Sequence, residues 1–286
     1  MPDASIRAAL KNGDFVLAPG VFELISALIA DRAGFPALYV TGYGTVASAL
    51  GLPDAGLATY SDMLDRISLI CERTTTPVIA DADTGYGGLL NVAHTVRGYE
   101  QAGVTAIQLE DQEFPKKCGH TPNRRVVPLE DMIKKIEVAV DSRRSDDFLV
   151  IARTDSRTGL GIDEAIRRGK AFAKAGADVV FVESPESEEE MKRIADEIDA
   201  PLFANMVNGG RTPLLSADRL KELGFSIAIH PAVGFLAMGA ALEKAYGDLK
   251  THGETTDAID LYDFAKMNEV LGFQAVWDFE KKYAQV

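Results

Sequence analysis

Eight short apolar runs recur along the chain, separated by amphipathic helical stretches, and this alternation constrains the fold more than any other feature. The runs are FVLAPG (15–20), ALYVTG (37–42), PVIADAD (77–83), AIQLED (106–111), FLVIARTD (148–155), VVFVES (179–184), PLFANM (201–206) and SIAIHP (226–231). Each is nearly continuous in apolar side chains, as strands covered on both faces are. Between them lie stretches such as FELISALIADRAG, NVAHTVRGYEQAG, IDEAIRRGKAFAKAG and EEEMKRIADEI. Several run out at Gly34, Gly103, Gly176 and Gly224, the residue type that ends helices. Such alternation builds a parallel sheet, and eight strands close a (β/α)8 barrel. An open doubly wound sheet fits less well, because no run is followed by GxGxxG and nearly every run ends in polar residues. The reading is therefore α/β: one (β/α)8 TIM barrel over residues 1–286.

Charge and cysteine content narrow the function classes. Lys and Arg total 30 against 43 Asp and Glu, a formal net charge of −13, which disfavours nucleic acid and anionic membranes as partners. No run approaches the ~18 apolar residues of a membrane span, and the N-terminal stretch reads as a short polar-faced helix without an apolar signal core. Two cysteines, Cys71 and Cys118, make no disulfide framework and suit a reducing compartment. A cytoplasmic protein is expected. The tail consists of a helix at about 235–249, the polar connector THGETTDAID and the amphipathic MNEVLGFQAVWDFEKKYA with Trp277. It reads as helices packing on the barrel or on a partner subunit.

The polar ends of the runs describe a site. Asp81 and Asp83 close the third run, and strand alternation would point both carboxylates the same way. Alone they could be a solvated turn. With Glu110 and Asp111 at the end of the fourth run, they read as hard oxygen ligands of a divalent cation. Arg153, closing an apolar run, needs an anionic partner: a neighbouring carboxylate or a bound one. Thr41, Gly42, Tyr43, Glu183 and Asn205 complete a polar ring. The stretch after the fourth run is long for such a connection and carries Lys116-Lys117-Cys118-Gly119-His120. Two lysines and His120 around one thiol would favour the thiolate and make Cys118 a usable acid–base group. Cys71, in ISLICERT, reads as a packing thiol.

These segments, taken in order, resemble the isocitrate lyase / phosphoenolpyruvate mutase superfamily. The resemblance runs from APG at 18–20 through TGYG, PD at 53–54, DADTGYG, QLEDQ, KKCGH and ARTD to NMVNGGRTP at 205–213. It implies a barrel whose eighth helix is exchanged between subunits, so that residues 235–286 pack on a partner, in a homotetramer built as a dimer of helix-swapped dimers. It also implies Mg²⁺, or Mn²⁺ in its place, with Asp81 and Asp83 on the metal side and Glu110 acting through water. Thr41, Gly42 and Tyr43 would cradle a keto-acid carboxylate, and Arg153 would hold its keto oxygen. Gly119, His120, Glu183 and Asn205 would line the side of the leaving acid. Cysteine at position 118 marks the carbon–carbon lyases of the superfamily, with Cys118 protonating carbon and Tyr43 handling the hydroxyl proton.

The expected substrate is a small dicarboxylate 2-hydroxy acid: a substituted malate such as 2,3-dimethylmalate, cleaved to pyruvate and propionate. Methylisocitrate lyases, which give pyruvate and succinate, usually carry arginines where this sequence has Leu236 and Met267. A third carboxylate would then lack compensation. That activity remains an alternative, as do oxaloacetate hydrolysis or decarboxylation and phosphonate processing. A retired barrel serving as a binding scaffold fits less well, because the carboxylates, Cys118 and Arg153 all remain.

Overall fold

The computed structural model describes residues 3–119 and 124–284. Eight parallel strands close a barrel in sequence order: β1 (Val16–Val21), β2 (Leu38–Val40), β3 (Val78–Asp81), β4 (Ala106–Glu110), β5 (Leu149–Thr154), β6 (Val179–Val182), β7 (Leu202–Asn205) and β8 (Ile227–His230). Closure is made by β1 against β8, with Val16 opposite Ile227 and Pro19 opposite His230. Seven of the apolar runs read from the sequence contain a strand one to three residues shorter than the run, and β1 is shifted one residue past the end of its run, to Val21.

The helices are α1 (Ser5–Asn12), α2 (Leu24–Arg32), α3 (Gly42–Leu50), α4 (Tyr60–Arg73), α5 (Leu89–Ala102), α6 (Leu129–Ser142) and α7 (Arg157–Leu160). They continue with α8 (Ile162–Lys174), α9 (Glu188–Glu197), α10 (Ala217–Leu223), α11 (Val233–His252), α12 (Phe264–Leu271) and α13 (Phe273–Tyr283). The glycine stops hold: Gly103 and Gly224 sit at the left-handed C-caps of α5 and α10, at φ 98° and 105°.

Two apolar layers hold the barrel. The inner layer contains Val16, Ala18, Tyr39, Ile79, Ala106, Leu149, Ile151, Val179, Phe181, Phe203, Ile227 and Ile229, joined by Ile6 of α1. The outer layer, between strands and helices, takes the alternate residues, among them Leu38, Val40, Val78, Ala80, Ile107, Val150 and Ala152. Continuous apolar runs are what a sheet buried on both faces requires, and each fully buried large side chain is worth about 1.5–3 kcal/mol.

The chain divides into two compact units, Met1–Phe235 and Leu236–Val286. In the second, Gly272 at φ 79° breaks the stretch read from the sequence as one helix into α12 and α13. Phe264, Trp277, Phe279 and Tyr283 are exposed there. No helix among the described residues is long and apolar enough to cross a membrane.

Candidate active site

Strand parity decides which side chains reach the barrel mouth. Val78 and Ala80 belong to the outer layer and Ile79 to the inner one, so Asp81 follows Ile79 inward. The same count turns Gln108 and Glu110 inward after Ala106, Arg153 after Ile151, Glu183 after Phe181 and Asn205 after Phe203. Register then pairs Asp81 with Gln108, Glu110 with Arg153, and Arg153 with Phe181. The buried polar residues Asp81, Glu110, Arg153, Glu183 and Asn205 thus gather at the C-terminal ends of the strands, the face where barrels of this kind build their sites. Asp111 has the opposite parity and points away, to Arg168 of α8 at 2.9 Å.

Asp83 arrives differently from the expectation. β3 ends at Asp81, and Asp83 lies at φ 49°, so strand alternation does not align the two carboxylates. A left-handed turn does so instead, with the Asp83 N–H donating to Asp81 Oδ1 at 3.1 Å. Asp81 also accepts from the Gly42 N–H at 3.2 Å and from Gln108 Nε2 at 3.2 Å, and Gln108 in turn accepts from the Tyr39 hydroxyl at 2.8 Å. A Cβ on Gly42 would stand 2.5 Å from Asp81 Oδ2, so any side chain at the head of α3 would displace this carboxylate.

Lys116 corrects another expectation. Its ammonium is buried 2.5 Å from both Asp54 and Asp83, so its charge is engaged by these carboxylates rather than reserved for the Cys118 thiol. Burial alone would lower this ammonium, but Asp83 and Asp54 raise it well above the usual lysine value. Asp83 shows the converse imbalance. Burial, opposed by Lys116 and aided by Asp81 and Asp54, pushes it up to about 7. Burial likewise holds Glu110 well above the carboxylate range against the pull of Arg153.

Arg153 lies flat in a fork. Its Nε and Nη2 donate to the two oxygens of Asp155 at 2.9 Å each, and Arg124 Nη1 meets the same carboxylate at 2.5 Å. Burial would raise Asp155, but Arg153 and Arg124 hold it below the usual range. The guanidinium also approaches Glu110 at 3.4 Å and Glu183 at 3.3 Å, and its carbon stands 5.1 Å from the Phe181 ring centroid. Asn205 Nδ2 donates to Glu183 at 3.0 Å.

The cysteine loop rests on this assembly. The Cys118 N–H donates to the Asp54 carbonyl at 3.2 Å, and the Gly119 carbonyl accepts from Ser184 Oγ at 3.3 Å. A Cβ on Gly119 would collide with the Arg153 guanidinium and crowd Glu183. His120 lies outside the described residues. Thr41 is buried at the N-cap of α3. Tyr43 is 45% exposed, its ring edge-on to Phe235 at 5.6 Å, and is not drawn into the carboxylate cluster.

Sequence reasoning did not single out Asp54, Asp155, Gln108, Tyr39 or Arg124 as site residues. Asp54 stands in the PD pair and Asp155 directly follows Arg153–Thr154, the only local signals they carry.

Among the described residues no three His, Cys, Asp or Glu side chains form a ready metal cage. The donor chemistry nonetheless suits a hard cation held largely through water. Carboxylates outnumber cations in the mouth, Asp54, Asp81, Asp83, Glu110, Asp155 and Glu183 facing Lys116, Arg124 and Arg153. In addition, Glu110 Oε1 is buried without a hydrogen-bond partner. Mg²⁺ binds through one or two carboxylates and keeps several waters, which this arrangement can supply.

Known proteins share this layout. The family described as phosphoenolpyruvate phosphomutase matches residues 6–250. A 2,3-dimethylmalate lyase of Eubacterium barkeri is 47% identical over 282 residues, covering 98% of each chain. The chain belongs to the phosphoenolpyruvate mutase/isocitrate lyase superfamily. It is a carbon–carbon lyase, as its named lyase relatives are. A 2-methylisocitrate lyase of Aeropyrum pernix is 41% identical over 286 residues, all of this chain and 91% of that one. Among solved structures, a 2,3-dimethylmalate lyase superposes with TM-score 0.92 at 39% identity, covering 99% of this lyase and 96% of that chain. A phosphonopyruvate hydrolase solved with oxalate and Mg²⁺ superposes with TM-score 0.88 at 28% identity over the whole of both chains.

Proposed function

We propose that this lyase cleaves a 2,3-disubstituted malate such as 2,3-dimethylmalate, in a Mg²⁺-dependent retro-aldol reaction, to pyruvate and propionate. The observation that carries the reading is the Arg153 guanidinium, held in a fork by Asp155 beside Glu110 and Glu183 and covered by the loop of Cys118 and Gly119. One fixed cation thus adjoins both a surplus of carboxylates and a thiol-bearing loop.

Asp81 and Asp83, with Glu110 through water, would hold the metal. When bound, it supplies a Lewis acid for the oxygen on C2. The chain's own groups do the rest. The head of α3, Thr41-Gly42-Tyr43, cradles the C1 carboxylate, as helix N-termini favour anions. Arg153, always charged, neutralises developing charge at the C2 oxygen. Breaking the C2–C3 bond sends its electron pair to C3 as the C2 hydroxyl passes its proton to the Tyr43 oxygen and Tyr43 releases its own proton to solvent. The Cys118 thiol then gives its proton to C3, completing propionate, and the thiolate is reprotonated from solvent. Glu183, Asn205 and Gly119 line the side of the leaving acid, and the resemblance adds His120, which lies outside the described residues. The loop also excludes water that would otherwise compete for the carbanion.

The substituted malate is favoured over methylisocitrate by the 47% identity to the Eubacterium enzyme and by Leu236 and Met267, which offer no cation to a third carboxylate. The exposed aromatic residues of α12 and α13 support packing of residues 235–286 on a partner subunit in a homotetramer. The excess of acidic residues and a count of two cysteines, too few for a disulfide framework, suit a cytoplasmic location.

The test is pyruvate release, coupled to lactate dehydrogenase, from 2,3-dimethylmalate, methylisocitrate, isocitrate and oxaloacetate, with Mg²⁺ and with chelator. The reading expects the highest kcat/KM on 2,3-dimethylmalate and no turnover in chelator. Preference for methylisocitrate establishes the rival substrate, and metal-independent turnover refutes the mechanism.

A further inference from the structure

The residue that follows Glu110–Asp111 in sequence is tied to neither the barrel mouth nor the helical layer. Gln112 is 2% exposed, and its backbone forms an isolated antiparallel bridge to Val126 on the returning limb of the cysteine loop. The neighbouring Glu113 N–H donates to the Arg125 carbonyl at 2.9 Å, and the Val127 N–H to the Asp111 carbonyl at 2.8 Å. The side chain of Gln112 turns to the outgoing limb. Its Oε1 accepts from the Lys117 N–H at 2.9 Å, and its Nε2 donates to the Lys117 carbonyl at 2.8 Å.

A carboxamide offers one acceptor and two donors in a plane, the same face that a peptide group presents to a β partner. Gln112 thus stands in for a missing strand. It locks the peptide next to Cys118 from both sides, while its own backbone is fixed to the loop's other limb. Four consecutive loop residues are anchored in this way. Lys116 is held by Asp54 and Asp83, Lys117 by Gln112, Cys118 by the Asp54 carbonyl and Gly119 by Ser184. The Gln112 pair carries no part of the substrate or metal chemistry.

We propose that Gln112 is a positioning residue for Cys118: the edge-to-edge pair of its carboxamide with the Lys117 peptide sets where the thiol stands relative to Arg153 and Glu183. The proposal rests on the reading that Cys118 is the proton donor to carbon. Its physical content, the placement of the thiol, is measurable without turnover.

Side-chain chemistry supplies two informative variants. Gln112→Leu keeps volume and removes both hydrogen bonds. Gln112→Glu is nearly isosteric: ionised, it keeps the acceptor for the Lys117 N–H but sets a carboxylate against the Lys117 carbonyl.

The experiment follows iodoacetamide alkylation of Cys118 by peptide mass spectrometry, with Cys71 as the internal reference, alongside kcat, KM and Tm. Loss of two well-formed hydrogen bonds should change the Cys118 alkylation rate in Gln112→Leu by about tenfold, leaving Cys71 and Tm unmoved. kcat should fall by about tenfold or more while KM shifts by less than about threefold, as for an interaction that acts on the proton-transfer step alone. In Gln112→Glu, measured at pH 8, the Cys118 alkylation rate should also depart from native, because the donor to the Lys117 carbonyl is lost. A Cys118 alkylation rate equal to native in Gln112→Leu overturns the proposal. So does parallel acceleration at both cysteines, which marks general loosening, or a Cys118 alkylation rate equal to native in Gln112→Glu. If the native protein cleaves none of the four acids, the lyase reading fails by itself while the alkylation rates still decide the role of Gln112.

Discussion

Arg168 reaches from α8 through the layer between helices and barrel, donating from Nη1 to Asp111 Oδ2 and to the Val127 carbonyl, both at 2.9 Å. Asp111, fully buried, also accepts from the Thr154 hydroxyl at 2.7 Å and the Asp155 N–H at 2.9 Å, bracing the end of β5 that carries Arg153. Burial and the nearby Asp155 raise the Asp111 carboxyl from 3.8 to about 6, with Arg168 among the groups opposing the rise. The folded carboxyl therefore holds its proton more tightly than the unfolded one. Its contribution to stability falls as pH climbs from about 4 through 6, by roughly 3 kcal/mol in all at about 1.4 kcal/mol per pH unit, and is flat above.

Arg168→Met removes the compensating cation, so the folded carboxyl moves higher still and the decline continues through neutrality. Stranding one partner of a buried pair costs about 3–5 kcal/mol when the survivor is charged. Near pH 5, where Asp111 is protonated in both proteins, the variant should lose little. Near pH 8 it should lose roughly 10 °C in Tm, at about 2–4 °C per kcal/mol for a chain of this size. Differential scanning fluorimetry of both proteins across that range makes the comparison. A Tm loss equal at pH 5 and pH 8 would show that Arg168 acts by packing alone and refute the charge argument.

Gly119→Ala places a methyl group against Arg153 and Glu183. It should lower kcat/KM by at least about 100-fold, close to 3 kcal/mol of transition-state binding, with Tm preserved; near-native kcat/KM would show that the loop does not press on Arg153 during turnover. Burial pushes the Cys71 thiol up to about 12, so at pH 8 it should resist iodoacetamide in the folded protein and react in urea. Peptide mapping of the two cysteines decides this, and alkylation of folded Cys71 as fast as Cys118 would contradict it.

The barrel was legible because a sheet buried on both faces leaves continuous apolar runs, and helices that return to it stop at glycine. The rim was legible because inward parity at a strand end, as at Glu110, Arg153, Glu183 and Asn205, exposes a polar residue after an apolar run. What the sequence hid depends on contacts between distant segments. Nothing near Asp54 announces that it shares Lys116 with Asp83, nor does Arg124 announce that it shares Asp155 with Arg153. Asp83 joins Asp81 through a left-handed residue that is not glycine, a conformation that strand periodicity does not register. Glu110 and Asp111 read as one acidic pair and Gln112 only as the end of the QLEDQ segment, yet the three serve the barrel mouth, the helical layer and the cysteine loop in turn.

The central claim is that this barrel breaks a C2–C3 bond and that Cys118 protonates the carbon released. Its most direct test is NMR of the products formed from 2,3-dimethylmalate and Mg²⁺ in D₂O. The account predicts pyruvate together with propionate carrying one deuterium at C2. Cys118→Ser should form neither at a comparable rate, a loss of several orders of magnitude, while still binding oxalate in the presence of Mg²⁺. Absence of pyruvate from the native enzyme, or labelled propionate formed as fast by Cys118→Ser, would contradict it.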